Sequence, residues 1–199
     1  MDKSAYEVDF GQIKGQEAAK RACQVALKAN YGLLLVGPPG QGKTMLARAF
    51  RTLHPHLPLY EFRPCRCEYR QDARRDCICS VKTIERHRKR MLKIGRQLTT
   101  LFIYVPALTV KEMFTNVRGT DSAEITETLR RSPDAEVPEG TVFDTDFLRQ
   151  IYEDRGMSPA ELQFVCQVSA AIAALDDANP LSPSAQHVAE AVNYLPPSH

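Results

Sequence analysis

The chain has 199 residues, of which 43% are hydrophobic and 25% are charged, a composition typical of one ordinary soluble domain with a buried core. Its apolar runs are much shorter than the roughly 18 residues that a membrane-spanning helix needs. The N-terminus also lacks the basic and then apolar pattern of a secretory signal. We therefore expect a cytoplasmic protein with no membrane partner.

Positive charge is concentrated in one segment, although the formal net charge of the chain is only +2. Between Arg63 and Arg96 there are twelve Lys or Arg and four Asp or Glu, so this segment carries +8 and the remainder −6. Such a segment is typical of a surface that binds nucleic-acid phosphates, and equally of a solvated face balanced by acidic residues elsewhere. Both interpretations remain open at this point.

The N-terminal third predicts a helix, a buried strand and a second helix. Residues 16–29 are strong helix formers, and Gly32 is expected to end that helix. The run from Leu33 to Val36 is continuously apolar, as in a buried parallel strand. From Thr44 to Leu53 the apolar residues return to helical spacing. A glycine-rich segment therefore lies between a strand and a helix.

This glycine-rich segment matches the phosphate-binding pattern G-x-x-x-x-G-K-[ST] in the structural context that the pattern requires. Backbone N–H groups of such a loop, together with the N-terminus of the helix, favour an anion. Lys43 would reach the β and γ phosphates of ATP, and the Thr44 hydroxyl would coordinate Mg²⁺. These two residues are the catalytic candidates. The predicted nucleotide contacts in the loop are Gly37, Pro38, Pro39, Gly40, Gln41, Gly42, Lys43, Thr44 and Met45.

Hydrolysis by this class of site also requires an acidic Walker B residue that holds magnesium. Two further strands are predicted, at residues 59–62 and 101–105, and no predicted strand ends in Asp-Asp or Asp-Glu. Glu61 is the nearest substitute, but an ordinary strand residue is the favoured interpretation. The sequence thus predicts triphosphate binding without predicting turnover.

Four of the six cysteines form two close pairs. In a reducing compartment such pairs favour metal ligands over disulfides, and four thiolates suit a tetrahedral Zn²⁺ site. Because Cys-x-Cys is tighter than the usual Cys-x-x-Cys spacing, free or redox-active thiols are the alternative. The predicted zinc ligands are Cys65, Cys67, Cys77 and Cys79.

A basic helix is predicted from Val81 to about Leu92, with Ser80 as its N-cap. Residues 111–140 are polar and indicate a linker, within which residues 123–131 could form a helix. The cations of the predicted basic surface are Lys82, Arg86, Arg88, Lys89, Arg90 and Lys93, with Arg66, Arg70, Arg74 and Arg75 close by.

The C-terminal part is predicted to be helical. A short helix covers residues 147–153, and a second begins at a capping box with Ser158 at the N-cap and proline at the first helical position. Ser182-Pro183 is expected to open a third helix in the same way. The apolar spacing fits a small helical bundle.

Taken together, these features resemble the magnesium-chelatase-like branch of the AAA+ ATPases, and within it the ComM-type competence helicases. Three blocks carry the resemblance: residues 9–46, the cysteine segment that begins Arg63-Pro64-Cys65, and residues 157–195. The resemblance implies an α/β fold, with a reduced P-loop AAA+ core, a short parallel sheet, a cysteine-rich insert and a C-terminal helical lid. It also implies that Ile13 lies beside the adenine.

We accordingly divide the chain into a shortened core over residues 1–110, a linker region over 111–140 and a helical lid over 141–196. Within the core, residues 63–80 form the cysteine-rich segment and residues 81–96 the basic helix.

The departures from the family pattern concern ATP processing. The family strands that include Walker B are missing from this sequence. Because those strands occupy one edge of the family's sheet, their loss predicts a three-stranded sheet with the phosphate-binding strand in the middle. Arg63 stands where the family has a sensor asparagine, and Ala160 where it has a lid arginine. The family's Leu-Leu-Asp-Arg-Ile-Asp segment is replaced by residues 95–100. A reduced relative with weak or absent hydrolysis is therefore expected.

The leading hypothesis is an ATP-binding, DNA-associated AAA+ protein that forms a homo-oligomer or assembles with a full-length AAA+ relative. A neighbouring subunit would then supply what this chain lacks. The competing hypothesis is a zinc-stabilised nucleic-acid-binding or adaptor module that uses nucleotide structurally. A decayed gene product without either activity is the third.

Overall fold

The computed structural model describes residues 8–70, 72, 75–95, 100–114, 119–133, 137 and 141–196. At its centre is a parallel sheet of three strands, β1 (Gly32–Val36), β2 (Leu59–Phe62) and β3 (Thr100–Tyr104), in the order β2-β1-β3. The predicted arrangement, with the phosphate-binding strand in the middle, is confirmed. β3 begins and ends one residue earlier than the sequence indicated.

The strand register aligns the carboxyl ends of all three strands. Leu35 pairs with Glu61 on one side and with Ile103 on the other, and Val36 pairs with Phe62 and Tyr104. Ligands of open parallel sheets bind in the crevice beyond these ends. The edge at which the glycine-rich loop begins is therefore where a site is expected.

Three helices accompany the sheet, α1 (Glu17–Ala29), α2 (Lys43–Leu53) and α3 (Val81–Gly95). α1 ends before Gly32, because Asn30 adopts a left-handed C-cap and donates its N–H to Ala26. α3 extends three residues beyond Leu92 and stays within the predicted basic-helix segment of residues 81–96. Its predicted N-cap is confirmed, since the Thr83 N–H lies 3.4 Å from Ser80 Oγ.

β1 is fully buried because its side chains alternate between two layers. Leu33 and Leu35 join the larger core with α1, α2 and the C-terminal helices. Leu34 and Val36 instead pack with Met91 of α3. Burial on both faces explains the continuous apolar run of this strand.

The region predicted as a linker contains two helices, α4 (Val110–Phe114) and α5 (Ser122–Arg131). The helix predicted at 123–131 is confirmed, and a capping box between Asp121 and Glu124 begins it one residue earlier. α4 was not predicted. Its five residues are too few to show a helical period.

The C-terminal part forms three helices, α6 (Thr145–Arg155), α7 (Pro159–Leu175) and α8 (Ala185–Asn193). α7 begins at the predicted capping box of Ser158 and Glu161, with proline at its start. The prediction that Ser182-Pro183 opens the last helix was wrong. Ser184 is its N-cap, because its hydroxyl accepts the N–H of His187 while the His187 ring accepts the N–H of Ser184.

None of the helices in the described ranges is both long enough and apolar enough to span a bilayer.

Candidate nucleotide and metal sites

The glycine-rich loop connects β1 directly to α2, and its glycines are required by the backbone. Gly40 and Gly42 have φ angles of +74° and +84°, a left-handed region that other residues enter only with strain. A Cβ on Gly37 would lie 2.2 Å from the carbonyl oxygen of Val105. The loop thus folds tightly against the end of β3 and presents the first N–H groups of α2, which have no intrahelical partners.

Lys43 and Thr44 stand at the first turn of α2, where the loop meets the helix. The Lys43 ammonium donates to the carbonyl oxygen of Pro38 at 2.5 Å, so the side chain folds over the loop. Burial lowers the pKa of Lys43, an effect that nearby Glu61 opposes and that Arg63 reinforces. A phosphate bound in the loop would offer this ammonium a stronger, charged acceptor than the carbonyl.

Other predicted contacts differ in accessibility. Pro39, Gly40, Thr44 and Met45 are exposed, whereas Gly37 and Pro38 are buried. Ile13 is only 3% exposed and belongs to the hydrophobic core. Its predicted place beside adenine stays a prediction.

Two glutamines brace the loop from behind. The Gln16 amide donates to the carbonyl oxygens of Gln41 at 3.3 Å and Pro106 at 2.8 Å. The Gln41 side chain donates to Pro39 at 3.1 Å and accepts the N–H of Leu108 at 3.2 Å. Gln41, predicted as a nucleotide contact, thus already has its side-chain amide bonded within the protein. The bracing role of Gln16 was missed, because nothing in the sequence pairs it with residues so far along the chain.

Glu61 lies against the phosphate loop. The Thr44 hydroxyl donates to Glu61 Oε2 at 2.9 Å, across 17 positions of sequence. The residue treated as an ordinary strand position therefore contacts the predicted magnesium ligand.

The four paired cysteines form one cluster. Their sulfur atoms all lie within 4.8 Å of one another, and Cys65 Sγ is 3.3 Å from Cys67 Sγ and 3.7 Å from Cys77 Sγ. A tetrahedron with Zn–S distances near 2.3 Å has sulfur–sulfur edges of about 3.8 Å. The donor set and its spacing fit Zn²⁺, and the sulfurs are free thiols rather than disulfides.

The environment of the cluster favours ionisation of one thiol. A hydrogen bond from the backbone N–H of Tyr69 is the main cause that lowers the pKa of Cys67 to about 6. Burial raises the pKa of Cys65. Cys23 lies outside the cluster, and complete burial raises its pKa as well, as expected of an inert core thiol.

The cysteine-rich segment also lines a cavity beside the phosphate loop. A cavity of about 420 Å³ is lined by Pro39 of the loop and by Tyr69, Asp72 and Arg75 of that segment. The Arg75 guanidinium lies 5.0 Å from the centre of the Tyr69 ring and donates to its hydroxyl at 2.8 Å. The phosphate loop and the cysteine-rich segment therefore border the same cavity.

A second cavity, of about 390 Å³, lies between the cysteine-rich segment and α3. It is lined by Arg66 and by one face of α3, formed by Thr83, Arg86, His87 and Arg90. These four α3 positions follow the i, i+3, i+4, i+7 spacing of a single helical face. Of the cations predicted for a basic surface, three converge here, and Arg74 lies outside the described residues.

Comparison with known proteins supports the relationship over the N-terminal part. Residues 9–63 match the family model of magnesium chelatase subunit ChlI. The competence protein ComM of Haemophilus influenzae is 46% identical over 50 residues, which cover 25% of this chain and 10% of that protein. An uncharacterized Escherichia coli protein, YifB, is 43% identical over 53 residues, or 27% of this chain and 10% of its own length.

A putative 26S proteasome regulatory subunit homolog of Methanocaldococcus jannaschii is 41% identical over 54 residues, covering 22% of this chain and 15% of its own length. The chain thus spans a small fraction of each of these relatives, and the family model matches only the part of the chain that contains the phosphate loop. With its strand, loop and helix in the expected order, the segment from residue 9 to residue 63 is similar to the magnesium chelatase family, subunit ChlI.

Proposed function

We propose that this protein binds ATP with Mg²⁺ and hydrolyses it weakly or not at all. The observation that carries the proposal is the loop from Gly37 to Thr44, held between a buried strand and α2 with Lys43 and Thr44 at its mouth. Weak turnover is supported by Arg63 in place of the sensor asparagine, where its guanidinium forms an ion pair with Glu68.

The test is a paired measurement of ATP affinity and turnover on the native chain and on Lys43→Ala. Arg51→Ala, which removes an exposed cation from the last turn of the same helix, is the matched control. We expect Lys43→Ala to lose ATP affinity and Arg51→Ala to retain it. Turnover abolished by Lys43→Ala would overturn the adaptor alternative, whereas binding without turnover would favour it. Absence of binding in the native chain would refute the proposal.

We further propose that Cys65, Cys67, Cys77 and Cys79 hold Zn²⁺, which orders the polar segment around them. The spacing of the four sulfurs supports this assignment. Metal analysis should find close to one zinc per native chain and none in the double variant Cys77→Ser/Cys79→Ser. Cys166→Ser, which changes a half-buried thiol outside the cluster, should keep the metal. Equal zinc in all three proteins would refute the assignment and leave free or redox-active thiols.

A DNA partner is supported by the cavity lined by Arg66, Arg86 and Arg90. We propose that these guanidinium groups bind backbone phosphates of a single strand. The double variant Arg86→Gln/Arg90→Gln should weaken binding of an oligonucleotide and reduce the salt-dependence slope by about 1.4, since each phosphate contact contributes about 0.7.

The control Lys82→Gln/Lys89→Gln removes the same charge from exposed positions that do not line the cavity. Fluorescence anisotropy at several salt concentrations distinguishes the two variants. Equal losses in both would show that net charge, rather than this cavity, binds DNA.

Because residues for turnover are missing, we propose a homo-oligomer or an assembly with a full-length AAA+ relative, in the cytoplasm, where thiols remain reduced. Light scattering with and without ATP tests self-association. A monomer under both conditions would leave only the mixed assembly.

A further inference from the structure

We propose that Glu61 replaces the missing Walker B acid, with its carboxylate holding the Mg²⁺ ion of the bound nucleotide beside Thr44. This inference rests on the proposed binding of ATP. It assigns a metal ligand to β2, although β2 does not end in the acidic pair that is typical of Walker B.

The position of Glu61 follows from the period of β2. Leu59 packs into the core that contains α2, whereas Tyr60 and Phe62 pack on the opposite face with α3. Since alternate residues of a strand share a face, Glu61 lies on the side of α2. Glu61 therefore shares a face of β2 with the apolar Leu59. It is an acidic residue at an otherwise apolar position, directly before the carboxyl end of the strand.

The contact made from this position is with the phosphate loop itself. Glu61 Oε2 accepts a hydrogen bond from the Thr44 hydroxyl at 2.9 Å. The parallel register with Leu35 fixes how far along the sheet the carboxylate can reach. The contact between Glu61 and Thr44 is thus set by the pairing of β1 with β2.

The two oxygens suit magnesium in chemistry and in spacing. Mg²⁺ prefers oxygen ligands in octahedral geometry at 2.0–2.1 Å, and neighbouring ligands of such an octahedron are about 2.9 Å apart. The distance between Thr44 Oγ1 and Glu61 Oε2 has that value. A hydroxyl bound to magnesium through its lone pair keeps its proton, which it can still direct towards the carboxylate.

If Glu61 were an ordinary strand residue, its contact with Thr44 at a distance that suits Mg²⁺ would have no explanation. Arg63, two residues further on, lies near Lys43 and is paired with Glu68. Glu61 instead directs its carboxylate to Thr44. Of these two acids, Glu61 is the one placed to reach a metal ion beside Thr44.

The experiment measures nucleotide affinity during a magnesium titration, with a fluorescent ATP analogue, for the native chain, Glu61→Gln and Glu85→Gln. Glu85 is exposed on α3 and provides the same chemical change away from the loop. For Glu61→Gln we expect Mg²⁺ affinity of the nucleotide complex to fall at least about 10-fold, because even the hydrogen-bonding partners of metal ligands contribute about 10- to 100-fold. Affinity in the presence of EDTA should stay unchanged, which also reports that the loop is folded.

Glu61→Asp keeps the charge and should restore part of the magnesium response. An unchanged response in Glu61→Gln, with normal nucleotide binding, would overturn the role of Glu61 and leave the proposed function intact. Failure of the native chain to bind nucleotide with or without magnesium would overturn both. A loss in Glu85→Gln equal to that in Glu61→Gln would also contradict the proposal, because charge alone would then explain it.

Discussion

Replacing Gly37 by alanine should disrupt the phosphate loop more than replacing Gly40, for reasons that differ between the two sites. The added Cβ at position 37 would lie 2.2 Å from the Val105 carbonyl oxygen. This oxygen belongs to backbone held in place by the bond of 2.7 Å from Val105 N to Val36 O. Relief of the clash therefore requires β1 and the residues after β3 to move apart.

At Gly40 an added Cβ meets nothing within 4 Å, so the cost comes from the φ of +74° alone. A left-handed residue costs roughly 1–2 kcal/mol, which for a chain of this size lowers Tm by about 2–8 °C. Gly37→Ala should lower Tm by more than Gly40→Ala and should also weaken ATP binding. Thermal unfolding followed by circular dichroism measures the first effect, and nucleotide titration the second. If Gly37→Ala melted like the native chain while Gly40→Ala did not, the close approach of the loop to Val105 would be refuted.

Three further predictions concern charge, capping and metal. Because burial lowers the pKa of Lys43, ATP affinity should decline with rising pH before an ordinary lysine would lose its proton, and Lys43→Arg should abolish that decline. A pH series of ATP titrations on both proteins checks this, and parallel curves would contradict it. Ser184→Ala should destabilise the protein by about 1 kcal/mol, and Ser182→Ala by less than about 0.5 kcal/mol, measured by urea unfolding; equal losses would contradict the assigned cap. A strong zinc chelator should lower Tm of the native chain but not of Cys77→Ser/Cys79→Ser, and equal shifts would indicate an effect unrelated to the cluster.

The strand, loop and helix around the nucleotide site were predictable because each has a local signal. The apolar run of β1 and the spacing of glycines before Lys43 are contiguous in the chain. The cysteine cluster was predictable for the same reason, since two close pairs need only one loop to bring them together. The order of the strands was predicted from the family resemblance, because the resemblance indicated which edge of the family's sheet is missing here.

The contacts that complete the site depend on distant segments. Gln16 meets Pro106, and Glu61 meets Thr44, only after the parallel register is set, and no periodic pattern records such pairs. The start of α8 was missed for a different reason. Ser182 and Ser184 are both reasonable caps, but only Ser184 has a residue three positions later, His187, whose side chain returns the bond.

The bond between the end of α8 and the sheet has a mechanical consequence. Phe102 of β3 donates its N–H to the carbonyl oxygen of Tyr194 at 2.8 Å, and Arg21 of α1 forms ion pairs with Asp176 and Glu190. Any movement of the C-terminal helices away from the core would therefore have to break a backbone hydrogen bond to β3 and the ion pairs of Arg21 at the same time.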